Sequence, residues 1–133
     1  MDSTLKHLSP ILWTKDLNET IAFYTTVLGF KARSNFPNFV SLSREHVEIM
    51  FVVPQDDPDD CKDPDGLEEF FPKPMLTGSL YITVNNVDEL WSKVNDKVNV
   101  ETPLCDREYY MRDFSILDNN GYELVFGQPV PHP

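Results

Sequence analysis

The chain has 133 residues, with 11 Lys and Arg against 22 Asp and Glu, a formal net charge of −11 and a pI near 4.5. That length holds one compact domain, or two small modules on a common core, and 41% hydrophobic residues mark a chain that folds. The acidity excludes a phosphate backbone as partner, since counterion release needs a basic face, and no apolar run reaches the ~18 residues of a membrane span. Met1 to Lys6 includes Asp2 and has no apolar segment, so no secretory signal is read there. Ser9-Pro10-Ile11-Leu12-Trp13-Thr14 then reads as a short strand. Asp16, with Glu19 three residues on, caps a helix that Gly29 ends. Leu17, Ile21, Tyr24 and Leu28 form its apolar stripe. Strands are predicted near 30–35, 38–43 and 46–53.

Residues 55–69 hold eight acids and one lysine, and Pro54, Pro58, Pro64, Pro72 and Pro74 cluster around them. Like charges repel and proline removes backbone donors, so 55–78 is predicted to be a solvated linker. An EF-hand register on Gly66 puts Cys61 at the first ligand position and Pro72 at the last, so calcium chemistry fails at both ends. Phe70-Phe71 either anchors the linker or forms a lid. Cys61 and Cys105 have no CxxC spacing, which predicts free thiols in a reducing cytoplasm.

After the linker the order repeats. Ser79–Val84 is a strand, and Asn86 with Glu89 caps a second helix. Val87, Trp91 and Val94 match Leu17, Ile21 and Tyr24 at an offset of 70. Strands near 98–102, 107–110, 113–117 and 121–127 follow, with an Asp118-Asn119-Asn120-Gly121 turn. Val47–Phe51 and Tyr122–Phe126 align at an offset of 75. This divides the chain into a first module (1–54), the linker (55–78) and a second module with a Pro-rich tail (79–133).

Strand parity sorts the faces. Leu80, Ile82 and Val84, with Val47, Ile49, Phe51, Tyr122, Leu124 and Phe126, should pack on the helices. Ser9, Ile11, Trp13, Glu48, Met50, Ser79, Tyr81 and Glu123 then point the other way. Their mixed polarity suits a ligand cleft, with Trp13, Tyr81 and Met50 as its apolar wall. Glu48 and Glu123 hold equivalent positions and either meet a ligand or pair with Arg112 or Arg107 at the rim. Phe36, Phe39, Tyr109 and Tyr110, at hairpin ends, extend the wall or close a dimer contact.

Asp16-Leu17, Ala22-Phe23-Tyr24 and Leu28-Gly29-Phe30, followed by Leu117-Asp-Asn-Asn-Gly-Tyr-Glu-Leu-Val-Phe-Gly127, resemble the glyoxalase/bleomycin-resistance/dioxygenase family, also called the vicinal oxygen chelate superfamily, over about residues 8–128. The resemblance implies an α+β fold: two tandem βαβββ modules forming a curled, cup-shaped mixed sheet with helices outside, in a homodimer. The family's metal enzymes draw one ligand from the first and last strand of each module, and those positions here are Ser9, Glu48, Ser79 and Val125. Serine and valine do not hold a divalent ion at pH 7, so the chain looks like the metal-free members, which bind a small organic molecule without chemical change. Tyr110-Met-Arg-Asp-Phe114 is similar to a segment of those proteins and carries Arg112 onto the cleft. The alternative is a glyoxalase-type lyase or isomerase, or a dioxygenase-like enzyme, holding a divalent metal on His7, Glu48 and Glu123. His46 shares the strand parity of Glu48.

Overall fold

The computed structural model describes residues 3–54 and 75–131, so the predicted linker up to residue 74, with Cys61 and Phe70-Phe71, lies outside the described residues. The first unit comprises β1 (Ile11–Trp13), α1 (Leu17–Thr26), β2 (Lys31–Phe36), β3 (Phe39–Arg44) and β4 (Val47–Val52). The second comprises β5 (Leu80–Thr83), α2 (Val87–Val94), β6 (Asn99–Asp106), β7 (Met111–Leu117) and β8 (Glu123–Pro129). The chain thus carries two βαβββ units in tandem.

Both helices start where the cap residues stand. The Asp16 carboxylate accepts from the Glu19 N–H at 3.0 Å and the Asn86 side chain from the Glu89 N–H at 3.3 Å, satisfying first-turn donors. Gly29 ends α1 at φ 73°, a conformation that a Cβ disfavours, and the Phe30 N–H returns to the Tyr24 carbonyl.

In each unit the short first strand lies parallel to the last, giving the orders β1-β4-β3-β2 and β5-β8-β7-β6. Ile11 sits opposite Met50 and Tyr81 opposite Val125, so the offsets of 70 and 75 hold in the registers. The expected curled, cup-shaped sheet is not formed. The strands make two separate open sheets, with β1 and β5 terminal in their own ladders. The physical reason is visible at β1: its outer edge is met by a side chain, with the Tyr122 hydroxyl bonded to the N–H and C=O of Trp13, instead of by another strand.

A second difference lies in β6. The stretches read as strands near 98–102 and 107–110 are one strand through Asp106 followed by a turn. Register shifts near Thr102 let that edge strand accommodate Pro103.

The core lies between sheets and helices, α1 packing on β2 and β3, and α2 on β7 and β8. Tyr24, Leu42, Ile49, Phe51, Phe114 and Ile116 are at most 2% exposed and belong to one continuous cluster spanning both units. Tyr24 meets Phe30 edge-on at 5.4 Å, and Trp91 meets Phe114 at 5.0 Å, geometries that aromatic quadrupoles favour. Polar side chains join the units as well. Thr14 and Thr20, both fully buried, share a hydrogen bond at 2.8 Å, and Thr14 donates to Asn120 at 2.7 Å. Among the described residues no helix is long and apolar enough to cross a membrane.

Candidate functional site

The face of each sheet turned away from its helix carries the polar chemistry. On the first sheet Ser41, Glu48 and Met50 project there, because Leu42, Ile49 and Phe51 take the alternate positions and are buried. Glu48 is gripped from two strands: Ser41 donates to Oε2 and Ser9 to Oε1, both at 2.5 Å. The His7 Nε2 stands 3.9 Å from the same carboxylate. The Ser41 and Ser9 hydrogen bonds hold the Glu48 carboxyl below its usual pKa, outweighing partial burial, with His7 and Arg33 adding smaller attractions. Glu48 is therefore a fixed negative charge that keeps 31% of its side chain in solvent. Beside it Ile11 and Trp13 leave 57% and 45% of their surface open.

The second sheet places Glu123 in the equivalent position, but supports it differently. Ser115 donates to Glu123 at 2.8 Å and shares a 2.6 Å hydrogen bond with Thr102. Ser79, the counterpart of Ser9, is exposed just before β5. Tyr81 lies across Gly127 and donates to Asp113 at 3.0 Å. Asp113 also receives Tyr109 at 2.7 Å and the Arg107 Nε at 2.7 Å. Burial alone would push the Asp113 carboxyl up, but the Arg107 hydrogen bond, joined by those of Tyr109 and Tyr81, takes it below the usual value. Burial and the Asp113 contact in turn push the Tyr81 hydroxyl up to about 12.

Arg112 needs a correction. Its expected place on this face is taken by Asp113, its neighbour of opposite parity. Arg112 instead turns to α2 and pairs with Asp88 at 2.9 Å and Asp106 at 3.2 Å. Asp113, Ser41 and Ser115 were missed, and Arg107 and Tyr109, named as a rim partner and a wall residue, both bond Asp113. The signal for Ser41 and Ser115 was present, because they repeat at an offset of 74 across from Met50 and Val125.

The metal sets implied by the sequence do not assemble. Among the described residues no three His, Cys, Asp or Glu side chains lie close enough to hold an ion, and His7 approaches Glu48 without Glu123 joining them. Ser9, which would occupy a first-strand ligand position, spends its hydroxyl on Glu48. This donor set does not fit a divalent ion. Cys105 is free and exposed.

Residues 4–126 match the Glyoxalase/Bleomycin resistance protein/Dioxygenase superfamily. The chain belongs to this superfamily. Solved structures share its fold at low sequence identity. A protein of unknown function from Agrobacterium tumefaciens str. C58 superposes with a TM-score of 0.72 at 18% identity, over 97% of this chain and 98% of that one. The lactoylglutathione lyase of Agrobacterium tumefaciens does so at 0.66 and 16%, covering 96% of each chain. The bleomycin-binding protein of Streptomyces verticillus, complexed with copper(II)-bleomycin, gives 0.66 and 15%, over 98% of this chain and 100% of that one. No curated protein matches the chain. A lyase and a binding protein thus share this superfamily fold, so function has to be argued from the site.

Proposed function

We propose that this superfamily member binds a small organic molecule on the open sheet face without a metal ion and without chemical change. The observation that carries the reading is Glu48, an ionised carboxylate held by Ser9 and Ser41 beside the exposed Trp13 and Ile11. An oriented charge next to a flat apolar surface suits a ligand with an aromatic body and a cationic or hydrogen-bond-donating group. Among the described residues Ile11, Trp13 and Tyr81 stay solvent-exposed on this side of the sheets. A second subunit would cover that side. Exposed Ile11, Trp13 and Tyr81 support a homodimer that closes the binding cleft between open faces. The Streptomyces relative's complex with copper(II)-bleomycin supplies a first probe.

The test is a thermal-shift screen with copper(II)-bleomycin and a set of cationic aromatic compounds, paired with sedimentation of the free protein. A ligand at roughly a hundredfold over its Kd adds about 2.7 kcal/mol to stability, enough to raise the Tm by several degrees. The shift should vanish in Glu48→Ala and shrink in Trp13→Ala. A screen with no binder, or a binder indifferent to both substitutions, would overturn the reading. Stoichiometric Zn, Ni, Fe or Mn in gently purified protein would overturn the metal-free reading.

A further inference from the structure

The duplication makes the two junctions between the units comparable, and they are built differently. At the first, the 118–122 segment meets α1. The Tyr24 ring fills the space there, and its hydroxyl donates to Asp118 at 2.7 Å. Tyr122 completes the seal, donating to the Trp13 carbonyl at 2.8 Å and accepting from the Trp13 N–H at 3.2 Å. Those two groups face outward from β1, because the following Thr14 N–H turns inward to the Val52 carbonyl and amides alternate along a strand.

At the second junction the loop between β3 and β4 meets α2. By the same offsets, Val94 stands where Tyr24 stood and Val47 where Tyr122 stood. The loop is also one residue shorter, with four residues inside the Ser43–Glu48 pair against five inside the Leu117–Glu123 pair. Among the described residues no side chain refills the space. A cavity of about 710 Å³ opens there, floored by Leu28, Val47, Leu90, Val94 and Phe126. Thr83, the counterpart of Trp13, also lines it. The Val84 N–H turns inward to the Gly127 carbonyl at 2.8 Å, so the N–H and C=O of Thr83 face outward from a terminal strand. The charges at the rim are paired with one another, Arg44 with Glu45 at 3.3 Å and Lys93 with Glu89 at 2.8 Å, and His46 completes the ionisable lining. Among the described lining residues no unpaired carboxylate or ammonium is offered to an ionic ligand.

We infer that this groove is a binding site for an uncharged phenol of one or two aromatic rings. The ring takes the space that tyrosines fill at the other junction, and the hydroxyl bonds the Thr83 N–H and C=O as Tyr122 bonds those of Trp13. The volume lies within the range of small-molecule sites. Glu48 and Glu123 do not line the groove, so this site stands or falls separately from the sheet-face site.

The test uses the full chain and p-cresol, the tyrosine side chain as a free molecule, followed by amide and methyl NMR, with toluene as control. Both compounds should shift the methyls of Val47, Leu90 and Val94, while only p-cresol should shift the Thr83 amide. p-Cresol should bind about fivefold more tightly, the return of one net hydrogen bond. Val47→Tyr, which refills the space, should weaken p-cresol at least about tenfold, and Val94→Phe serves the same purpose should the first variant misfold. Three outcomes would overturn the inference: no shift at the groove methyls, toluene binding as tightly with the Thr83 amide unmoved, or undiminished binding in both variants.

Discussion

Glu48 and Glu123 are the same residue at equivalent positions, yet they meet different surroundings. Glu48 accepts from Ser9 and Ser41, while Glu123 accepts from Ser115, whose own hydroxyl is shared with Thr102. Because hydrogen bonding depresses the folded-state pKa of Glu48, the unfolded chain binds that proton more readily. Its stabilisation is therefore complete above the ordinary carboxylate pKa and is lost as pH falls through the lower folded value. Urea midpoints measured between about pH 5 and pH 3 should fall further for the wild type than for Glu48→Gln. Equal slopes would show that the two serines do not hold the charge. Parity in the sequence was sufficient to locate both glutamates. Arg112 was placed by its similarity to a relative's segment, and parity, had it been applied there, would have chosen Asp113.

The elements were legible wherever a local signal set them. Asp16 and Asn86 cap the two helices as read, and Ile49 and Phe51 of β4 and Leu124 and Phe126 of β8 are buried, while Val47 is only half-buried. The strands read near 98–102 and 107–110 give way to one edge strand to Asp106, whose shifted register tolerates Pro103. Close packing between elements was less legible. Gly127 in β8 has no positive φ to demand it, but Tyr81 of β5 lies so close that a Cβ there would overlap the phenol ring. Gly127→Ala should cost about 1–3 kcal/mol by urea denaturation, and much less in a Tyr81→Ala background. Additive losses would mean that Tyr81 swings aside freely and does not press on β8.

At the scale of the whole molecule, the duplication was visible in two constant offsets, but how the units meet was not. That contact depends on side chains far apart in sequence, such as Tyr122 on Trp13 and Asn120 on Thr14. No periodicity announces them, and the expectation of one continuous sheet came from resemblance alone. Removing a single hydroxyl tests how much the junction matters. Tyr122→Phe leaves the strand-edge N–H and C=O of Trp13 without their partner and should cost roughly 1–3 kcal/mol in chemical denaturation. A loss within error would mean that water replaces the hydroxyl at no cost.

The Tyr122 and Asn120 contacts also give the molecule an axis of weakness. One end of the seam is riveted by directional bonds from Tyr24, Thr14 and Tyr122. At the other end the facing valines, Val47 and Val94, border a hollow. Short-range dispersion yields over a fraction of an ångström, whereas the rivets hold until they break. The seam between the halves is therefore held by directional hydrogen bonds at its Tyr122 end and by apolar contacts around a hollow at its Val47 end.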